Sequence, residues 1–266
     1  MNNNQIYHDK SCAEQCFFKI TKKMLNAICP NKEADEELIK ALNKYCCQYE
    51  INTPLRVAHF LSQTAHESDC FTRFIEDDIY RESVAIKNSC YKKYRETVGK
   101  DIVLKPMIKN GKQVDFQCKQ PEYFNCKYYK EDLGNTPEDG HKYRGRGLIQ
   151  ITGRTNYQGF TDEYNKKNQN DKQNFMDNPD LVSTNIDYSV ASACYWWNNL
   201  SARGGSVNKY ADKGATKKDV YNVSWCVNSR TIQEKPFMPE YKEEANGLED
   251  RWKKFEKIAK HLGLIK

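Results

Sequence analysis

The sequence predicts a mainly α protein with a small β element. Three observations predict this class: apolar residues recur at helical spacing along much of the chain, helix start and stop signals flank those stretches, and a hairpin turn signal stands in one short β-prone segment. The 266 residues, 38% of them hydrophobic with a mean hydropathy of −0.90, are typical of a soluble chain that buries a substantial core. We therefore expect one domain over residues 1–266.

The first part of the chain carries signals for three helices. The first helix stops at Pro30, and Asn31 can cap the second, which has acids in its first turn and apolar residues at helical spacing. The third begins with Thr53 as N-cap and Pro54 in the first helical position, where a missing N–H costs nothing. Its apolar stripe leads to Glu67 near the C-terminal end.

The centre of the chain carries the β signals. Two strand-like pieces flank Asn110 and Gly111, which predicts a hairpin. Further on, the segment "YRGRGLIQITGRTNY" predicts a short strand over residues 148–152, with Gln150 and Thr152 on one face. After it, "NPDLVSTNIDYSVASACYWWNNL" predicts a loop leading into a long buried helix, and "GLEDRWKKFEKIAKHLGL" predicts a closing amphipathic helix.

Composition argues against several classes of function. The net charge of +6 is spread along the chain and favours approach to polyanions such as an anionic cell wall, but no nucleic-acid-binding motif accompanies it. The glycine-rich segment around Gly145 does not contain the P-loop motif that binds nucleotides. The sequence also has no CxxC pair of the kind found in metal sites. We therefore expect no cofactor and no metal. No apolar run reaches the roughly 18 residues of a membrane span. The first residues do not resemble a Sec signal peptide either, so we expect synthesis in the cytoplasm without one.

The eleven cysteines leave two interpretations open. They are buried thiols that pack as small hydrophobes, or some of them pair in an oxidising compartment such as a periplasm. In the second case Cys118 and Cys126 are a candidate pair.

Two acids near the end of the third helix could carry chemistry. Glu67 and Glu76 lie nine positions apart (76 − 67 = 9), and a helix end followed by a turn can bring two such side chains to one site. Cleavage of a glycosidic bond uses one carboxylic acid to protonate the leaving oxygen and a second carboxylate to activate water or to attack. Taken alone, however, two acids in an acid-rich stretch are typical of a solvated surface.

Three motifs in combination resemble family 19 of the glycoside hydrolases, the group of chitinases and phage endolysins. They are "INTPLRVAHFLSQTAHESDCFTRFIEDDIY", "GHKYRGRGLIQITGRTNY" and "NGLEDR", in the family's order and approximate spacing. The resemblance covers most of residues 18–262, which leaves 1–16 as an N-terminal extension and 87–127 as an expanded insertion. It implies a single catalytic domain with a two-lobed, lysozyme-like architecture, a central substrate cleft and an inverting mechanism.

The resemblance also implies roles for individual residues. Glu67 matches the general acid, and Glu76 matches the general base of the endolysin-like branch, which has its second acid at this short offset. Thr152 matches the hydroxyl that holds the attacking water. Inversion requires a protonated Glu67, an ionised Glu76 in a wetter setting and about 6.5–9.5 Å between the two carboxyl groups.

Supporting roles follow for other residues, each with a structural hydrogen bond as the alternative. The positions that match the sugar-binding residues are Tyr143, Gln150, Asn156 and Asn228. His66, beside Glu67, is a further candidate at the substrate site, with a packing role as its alternative. Arg251 matches a buried arginine that supports the acidic site.

We expect the chain to cleave β-1,4 linkages in the glycan strands of bacterial peptidoglycan, as a phage lysis enzyme or an antibacterial toxin effector. The alternatives are a chitinase that acts on chitin oligomers and a non-catalytic protein that binds the cell wall or acts as an inhibitor. We expect a monomer without membrane insertion or nucleic-acid partners that acts at the bacterial wall after release or secretion. An immunity protein is left open as a partner.

Overall fold

The computed structural model describes residues 18–33, 35–76, 80–81, 96, 98–99, 104–118, 121–202, 204–228 and 246–266. The extension predicted at 1–16 lies outside these ranges, as does part of the insertion predicted at 87–127. The described part is mainly helical with one small sheet, as predicted. It divides into two compact units: unit 1 comprises Met1–His66 and Trp197–Lys266, and unit 2 comprises Glu67–Trp196.

The helices and strands follow in chain order. The described α-helices are α1 Lys22–Ile28, α2 Glu36–Gln48, α3 Pro54–Glu67, α4 Glu122–Lys127, α5 Asp139–Lys142, α6 Arg154–Lys167, α7 Leu181–Thr184, α8 Ile186–Asn199, α9 Asn208–Ala211, α10 Lys217–Val227 and α11 Leu248–His261. The described strands are β1 Tyr80–Arg81, β2 Leu104–Lys109 and β3 Lys112–Cys118, and a 3-10 turn covers Glu131–Leu133.

Helix ends follow the local signals with one correction. Helix α3 begins at Pro54, and the Thr53 hydroxyl accepts a hydrogen bond from the Arg56 amide at 3.2 Å, as expected of a cap. Asn31 does not cap α2. Asp35 does, because its carboxylate accepts from the Glu37 amide at 3.0 Å and lies directly before the first helical residue.

The small sheet contains the predicted hairpin. Its strand order is β1-β3-β2, and both pairings are antiparallel. The turn joins Lys109 to Lys112 through Asn110 and Gly111, whose φ angles of 53° and 72° are both left-handed. Two successive left-handed residues match the right-handed twist of a hairpin, and Asn-Gly adopts them at low cost.

The strand predicted over residues 148–152 is wrong. Arg146 and Ile151 form an antiparallel bridge, and the intervening residues reverse the chain, with φ of 75° at Gly147 and 59° at Gln150. An added Cβ on Gly147 would lie 2.6 Å from the Ser192 hydroxyl oxygen, so this tight turn requires glycine. Gln150 and Thr152 therefore do not share a strand face.

The core of unit 1 is built from aromatic and apolar side chains of its helices. The Phe60 and Trp197 rings meet edge to face at 5.3 Å, and both are fully buried. The Trp197 indole N–H donates to the Asn208 side-chain oxygen at 2.9 Å, which satisfies the one polar atom of that side chain. Helix α11 packs against α1 and α10.

Unit 2 has its own core, which is rich in aromatic rings. Phe160 on α6 stacks on Phe175 at 4.5 Å and contacts Tyr164 and Tyr195 at 5.8 and 5.6 Å. The Tyr188 ring on α8 adds a further edge contact to Phe175 at 5.3 Å. Because each unit buries its own apolar side chains, each has a source of stability of its own.

Both interpretations of the cysteines hold for part of the set. Cys46, Cys194 and Cys226 are buried thiols. A second group is disulfide-bonded, namely Cys29, Cys47, Cys70 and Cys126. The side chain of Cys118 lies outside the described residues, so its predicted pairing stays a prediction. Separately, none of the described helices combines the length and apolar character needed to cross a membrane.

A buried histidine makes the stability of the protein depend on pH. His59 is fully buried, its ring lies 4.4 Å from that of Phe255, and its Nε2 donates to the Gly214 carbonyl at 2.9 Å. Burial lowers the pKa of His59 to about 4, although the Gly214 carbonyl, Asp219 and Asp212 favour the charged form. The unfolded chain takes up this proton near its ordinary pKa of 6.5, whereas the folded chain does not.

We therefore expect the free energy of unfolding to fall as the pH is lowered from about 6.5 to about 4, by up to about 3 kcal/mol from His59. His59→Gln keeps a donor for the carbonyl and should flatten this part of the curve. Urea unfolding at a series of pH values measures the effect, with the exposed His261→Gln as control. Parallel curves for wild type and His59→Gln would contradict it.

Candidate active site

A left-handed turn lies between the two candidate acids. Helix α3 ends at Glu67, and the buried Ser68 hydroxyl accepts from the Phe71 amide at 3.0 Å. Asp69, Cys70 and Phe71 then have φ of 48°, 56° and 61°. Each non-glycine residue in this conformation costs about 1–2 kcal/mol. Strain of this kind clusters at functional sites, where surrounding structure holds it in place.

After this turn the backbone of Glu76 pairs with the glycine segment. The Glu76 amide donates to the Gly145 carbonyl at 3.0 Å, and the Gly147 amide donates to the Phe74 carbonyl at 2.7 Å. Ile75 and Arg146 form the antiparallel bridge between these hydrogen bonds. The second candidate acid is thus fixed beside "YRGRG" through its main chain.

The side chain of Glu76 is held as firmly as its backbone. Its Oε1 pairs with the Lys127 ammonium, and its Oε2 accepts a hydrogen bond from the Tyr128 hydroxyl at 2.6 Å. The Gly145 amide is a longer donor to Oε2 at 3.4 Å. Only 14% of the Glu76 side chain is exposed, and the expectation that its setting is wetter than that of Glu67 stays a prediction. A cation and a hydroxyl, instead of bulk water, solvate this carboxylate.

Gly145 has no side chain and so leaves room for the side chains of Gln150 and Glu76. An added Cβ at this position would lie 2.9 Å from the Gln150 side-chain oxygen and 3.4 Å from Glu76 Oε2. The glycine therefore allows the backbone to pass close to both polar side chains. It also brings the candidate base and a predicted sugar-binding residue to one place.

The polar residues after the turn form a chain of hydrogen bonds. The Gln150 side-chain nitrogen Nε2 donates to the Gly147 carbonyl at 2.8 Å, and the Thr152 hydroxyl donates to the Gln150 carbonyl at 2.8 Å. The Asn156 amide nitrogen donates to the Thr152 carbonyl at 2.7 Å. All three predicted residues are half-buried, so they combine fixed positions with partial access to solvent.

Tyr143 has a structural role in this fold. Its ring is 1% exposed and its hydroxyl donates to the Met176 carbonyl at 3.2 Å. The Arg154 guanidinium lies over that ring at 5.4 Å and pairs with Asp139 at 2.8 Å. Burial tends to raise the pKa of Asp139, but the hydrogen bonds from Arg154 and Thr136 outweigh it and lower this pKa. The ion pair between Asp139 and Arg154 links α5 to the first residue of α6. Contact of Tyr143 with a sugar stays a prediction.

The candidate acid Glu67 is half-buried at the C-terminal end of α3. Its carbonyl accepts from the Arg73 guanidinium at 3.4 Å, a contact across the left-handed turn. Glu67, Glu76, Thr152, Gln150 and Asn156 all belong to unit 2.

The remaining predicted residues belong to unit 1. His66 Nδ1 pairs with Asp250 at 2.6 Å, so its ring is engaged with a carboxylate at the start of α11. Arg251 is fully buried, and its guanidinium donates to the Gln63 side-chain oxygen at 2.7 Å, one helical turn before Glu67 in α3. Asn228 follows the last residue of α10 and is half-buried.

The contacts of Lys127 and Tyr128 with Glu76 were not predicted from the sequence. The sequence offered one weak signal for them, the run of aromatic and basic residues in "CKYYKEDLG". Their partner Glu76 lies 51 and 52 positions away, so no local pattern connects them. Within the described residues, no group of three or more His, Cys, Asp or Glu side chains could hold a metal ion.

Comparison with known proteins relates the chain to one family. No protein-family model matches the sequence. A glycosyl hydrolase family 19 domain-containing protein from Haemophilus influenzae is 34% identical over 146 residues, which are 54% of this chain and 61% of that protein. The match thus spans about three fifths of the length of this relative.

Solved structures show the same fold. A bacterial family 19 chitinase has a TM-score of 0.55 at 15% identity, with 92% of this chain and 96% of that chain covered. Chitinase C from Streptomyces griseus has a TM-score of 0.55 at 16% identity, with 93% of this chain and 78% of that chain covered. The chain therefore has the mainly helical, lysozyme-like fold of family 19 chitinases. Sequence and fold together confirm the resemblance to family 19 of the glycoside hydrolases.

Proposed function

We propose that the protein is an inverting glycoside hydrolase that cleaves β-1,4 linkages of bacterial peptidoglycan. The observation that carries the proposal is the fixed carboxylate of Glu76, held beside the Gly145 segment that continues into Gln150 and Thr152. Relationship to family 19 supports hydrolysis of a glycosidic bond as the reaction.

The proposed reaction assigns one task to each acid. Glu67 donates a proton to the leaving glycosidic oxygen, and Glu76 removes a proton from the attacking water. Thr152 helps to hold that water, and Gln150 and Asn156 bind the sugar. Each carboxylate oxygen of Glu76 has two lone pairs, so it can accept from water while it keeps its protein partner.

Peptidoglycan is favoured over other glycans by two features of the sequence. The offset of nine between the acids resembles the endolysin-like branch, and the net charge of +6 favours approach to an anionic wall. The disulfide-bonded cysteines support action in an oxidising compartment outside the cytoplasm, as a released lysis enzyme or a secreted effector. As partners we propose glycan strands and, for an effector, an immunity protein.

Chitin is the second candidate substrate. The similar solved structures are named as chitinases, and chitin shares an acetamido sugar and the β-1,4 linkage with the peptidoglycan backbone. The residues proposed to bind the sugar therefore suit either polymer.

The test is digestion of purified sacculi and of chitin oligomers. We expect the wild type to clear sacculi and release muropeptides with new reducing ends, with the α-anomer formed first as inversion requires. Glu76→Gln should be at least about 100-fold slower, since general base catalysis contributes that much. The exposed Glu131→Gln is the matched control and should equal wild type.

Mass spectrometry of the products identifies the bond, and proton NMR identifies the anomer. Faster cleavage of chitin oligomers than of sacculi would favour the second candidate. Binding to sacculi without new reducing ends, or equal clearing by Glu76→Gln, would reject the proposed activity.

A further inference from the structure

We propose that Lys127 and Tyr128 are positioning residues that orient the catalytic carboxylate of Glu76. This inference rests on the proposed function, because it gives Glu76 the role of general base. We refer to the two residues together as the carboxylate clamp.

The clamp fixes both oxygens of one carboxylate. Lys127 pairs with Oε1 of Glu76, and the Tyr128 hydroxyl donates to Oε2 at 2.6 Å. The two donors therefore contact different oxygens of the carboxylate. Two such contacts define the plane of the carboxylate, because a rotation about its terminal bond would lengthen both. The orientation of a general base decides whether its lone pair points at the attacking water.

The clamp is itself anchored on the core of unit 2. The Tyr128 ring lies parallel to Phe124, with ring centroids 6.0 Å apart and 1° between the planes. Phe124 is fully buried in α4. The Lys127 ammonium lies 4.8 Å from the Tyr128 ring centroid and 5.9 Å from that of Phe124. Cation–π attraction therefore keeps the lysine beside Glu76 and reduces the entropy lost when the ion pair forms.

The chemistry of the two donors suits a base. An ammonium and a hydroxyl both donate to the carboxylate of Glu76, so they can hold its oxygens in place for proton transfer from the attacking water. Lys127 is 24% exposed and Glu76 14% exposed, so water screens their attraction only in part. A purely structural ion pair would join the same two segments without any effect on the chemical step.

Kinetics of four variants separate these two roles. We expect Lys127→Met and Tyr128→Phe each to lower kcat by about tenfold or more, since a hydrogen bond to a charged group contributes that much, with little change in KM. Lys127→Arg keeps the charge and should retain most of the activity. Lys130→Met removes an exposed lysine three positions further on and is the matched control.

A double-mutant cycle connects the clamp to its target. In the Glu76→Gln background, Lys127→Met and Tyr128→Phe should produce no further loss of kcat, because the group they orient has been removed. Tyr128→Phe removes a single oxygen atom, and thermal unfolding by circular dichroism verifies that each variant is folded.

The outcomes distinguish the clamp from the proposed function. If Glu76→Gln is inactive while Lys127→Met and Tyr128→Phe keep wild-type kcat, the clamp is wrong and the proposed function stands. The clamp is equally contradicted if the two variants lower only the melting temperature, or if their losses persist in the Glu76→Gln background. If Glu76→Gln itself is as active as wild type, the proposed function fails.

Discussion

Glu67→Gln is expected to lower kcat on the natural polymer by about 10²- to 10⁴-fold, the usual contribution of a general acid. The substitution keeps the size and shape of the side chain but removes the proton that the leaving oxygen requires. Because Glu67 is half-buried at the end of α3 and not part of the core, the melting temperature should change little. Reducing-end assays on sacculi or chitin oligomers measure the loss.

A change of leaving group sharpens this test. An aryl glycoside with an acidic phenol as leaving group needs little protonation, so Glu67→Gln should retain far more of its activity on that substrate. Glu76→Gln should lose activity on both substrates, since attack by water is required in each case. Asp69→Asn, two positions further on, is the control, because Asn tolerates the left-handed conformation found there.

An equal loss of Glu67→Gln on both substrates would show that Glu67 is not the acid. Wild-type activity of this variant on the polymer would exclude any direct role in the reaction. Either result would leave the similarity of fold intact, since the fold does not depend on one half-buried carboxylate.

Local sequence signals were sufficient to predict the start of α3 and the hairpin turn. Thr53 and Pro54 place the start of α3 because a cap and a fixed φ act within one turn of helix. Asn110 and Gly111 predict the hairpin for the same reason, since both adopt left-handed φ at low cost. In each case the physical cause lies within a few residues of its effect.

The short segment after Gly147 shows where local reasoning fails. Alternation of apolar and polar residues predicts a strand over 148–152, yet the chain reverses there because Arg146 pairs with Ile151. Gln150 takes a left-handed φ of 59°, which a propensity argument would not assign to it. Gly147 lies close to the buried Ser192, and no pattern within the segment records that long-range approach.

The candidate site was predictable to a similar extent. Glu67 and Glu76 could be selected because their spacing and flanking motifs resemble a family. The partners of Glu76 could not, since Lys127 and Tyr128 come from a helix and its end that the sequence pattern left unassigned. The need for glycine at position 145 could not be predicted either, because only the fold brings the side chains of Glu76 and Gln150 close to its backbone.

Gly140→Ala should destabilise the protein by about 3 kcal/mol, at the upper end for overpacked sites. An added Cβ would lie 2.1 Å from the Phe124 carbonyl oxygen and 2.6 Å from the Asn125 Cα, which are backbone atoms of α4. Backbone cannot rotate away as the end of a side chain can, so α4 and α5 must separate. Helix propensity alone predicts the opposite sign, a gain of about 1 kcal/mol for Ala over Gly inside a helix.

The same substitution should also affect catalysis. The His141 amide donates to the Asn125 side-chain oxygen at 2.8 Å, so α5 holds α4 in place, and α4 ends at Lys127. A shift of α4 moves the carboxylate clamp away from Glu76, and kcat should fall along with the melting temperature. Lys142→Ala, exposed on the same short helix, is the control for both measurements. A melting temperature for Gly140→Ala at or above that of wild type would mean that the two helices do not pack this closely in solution.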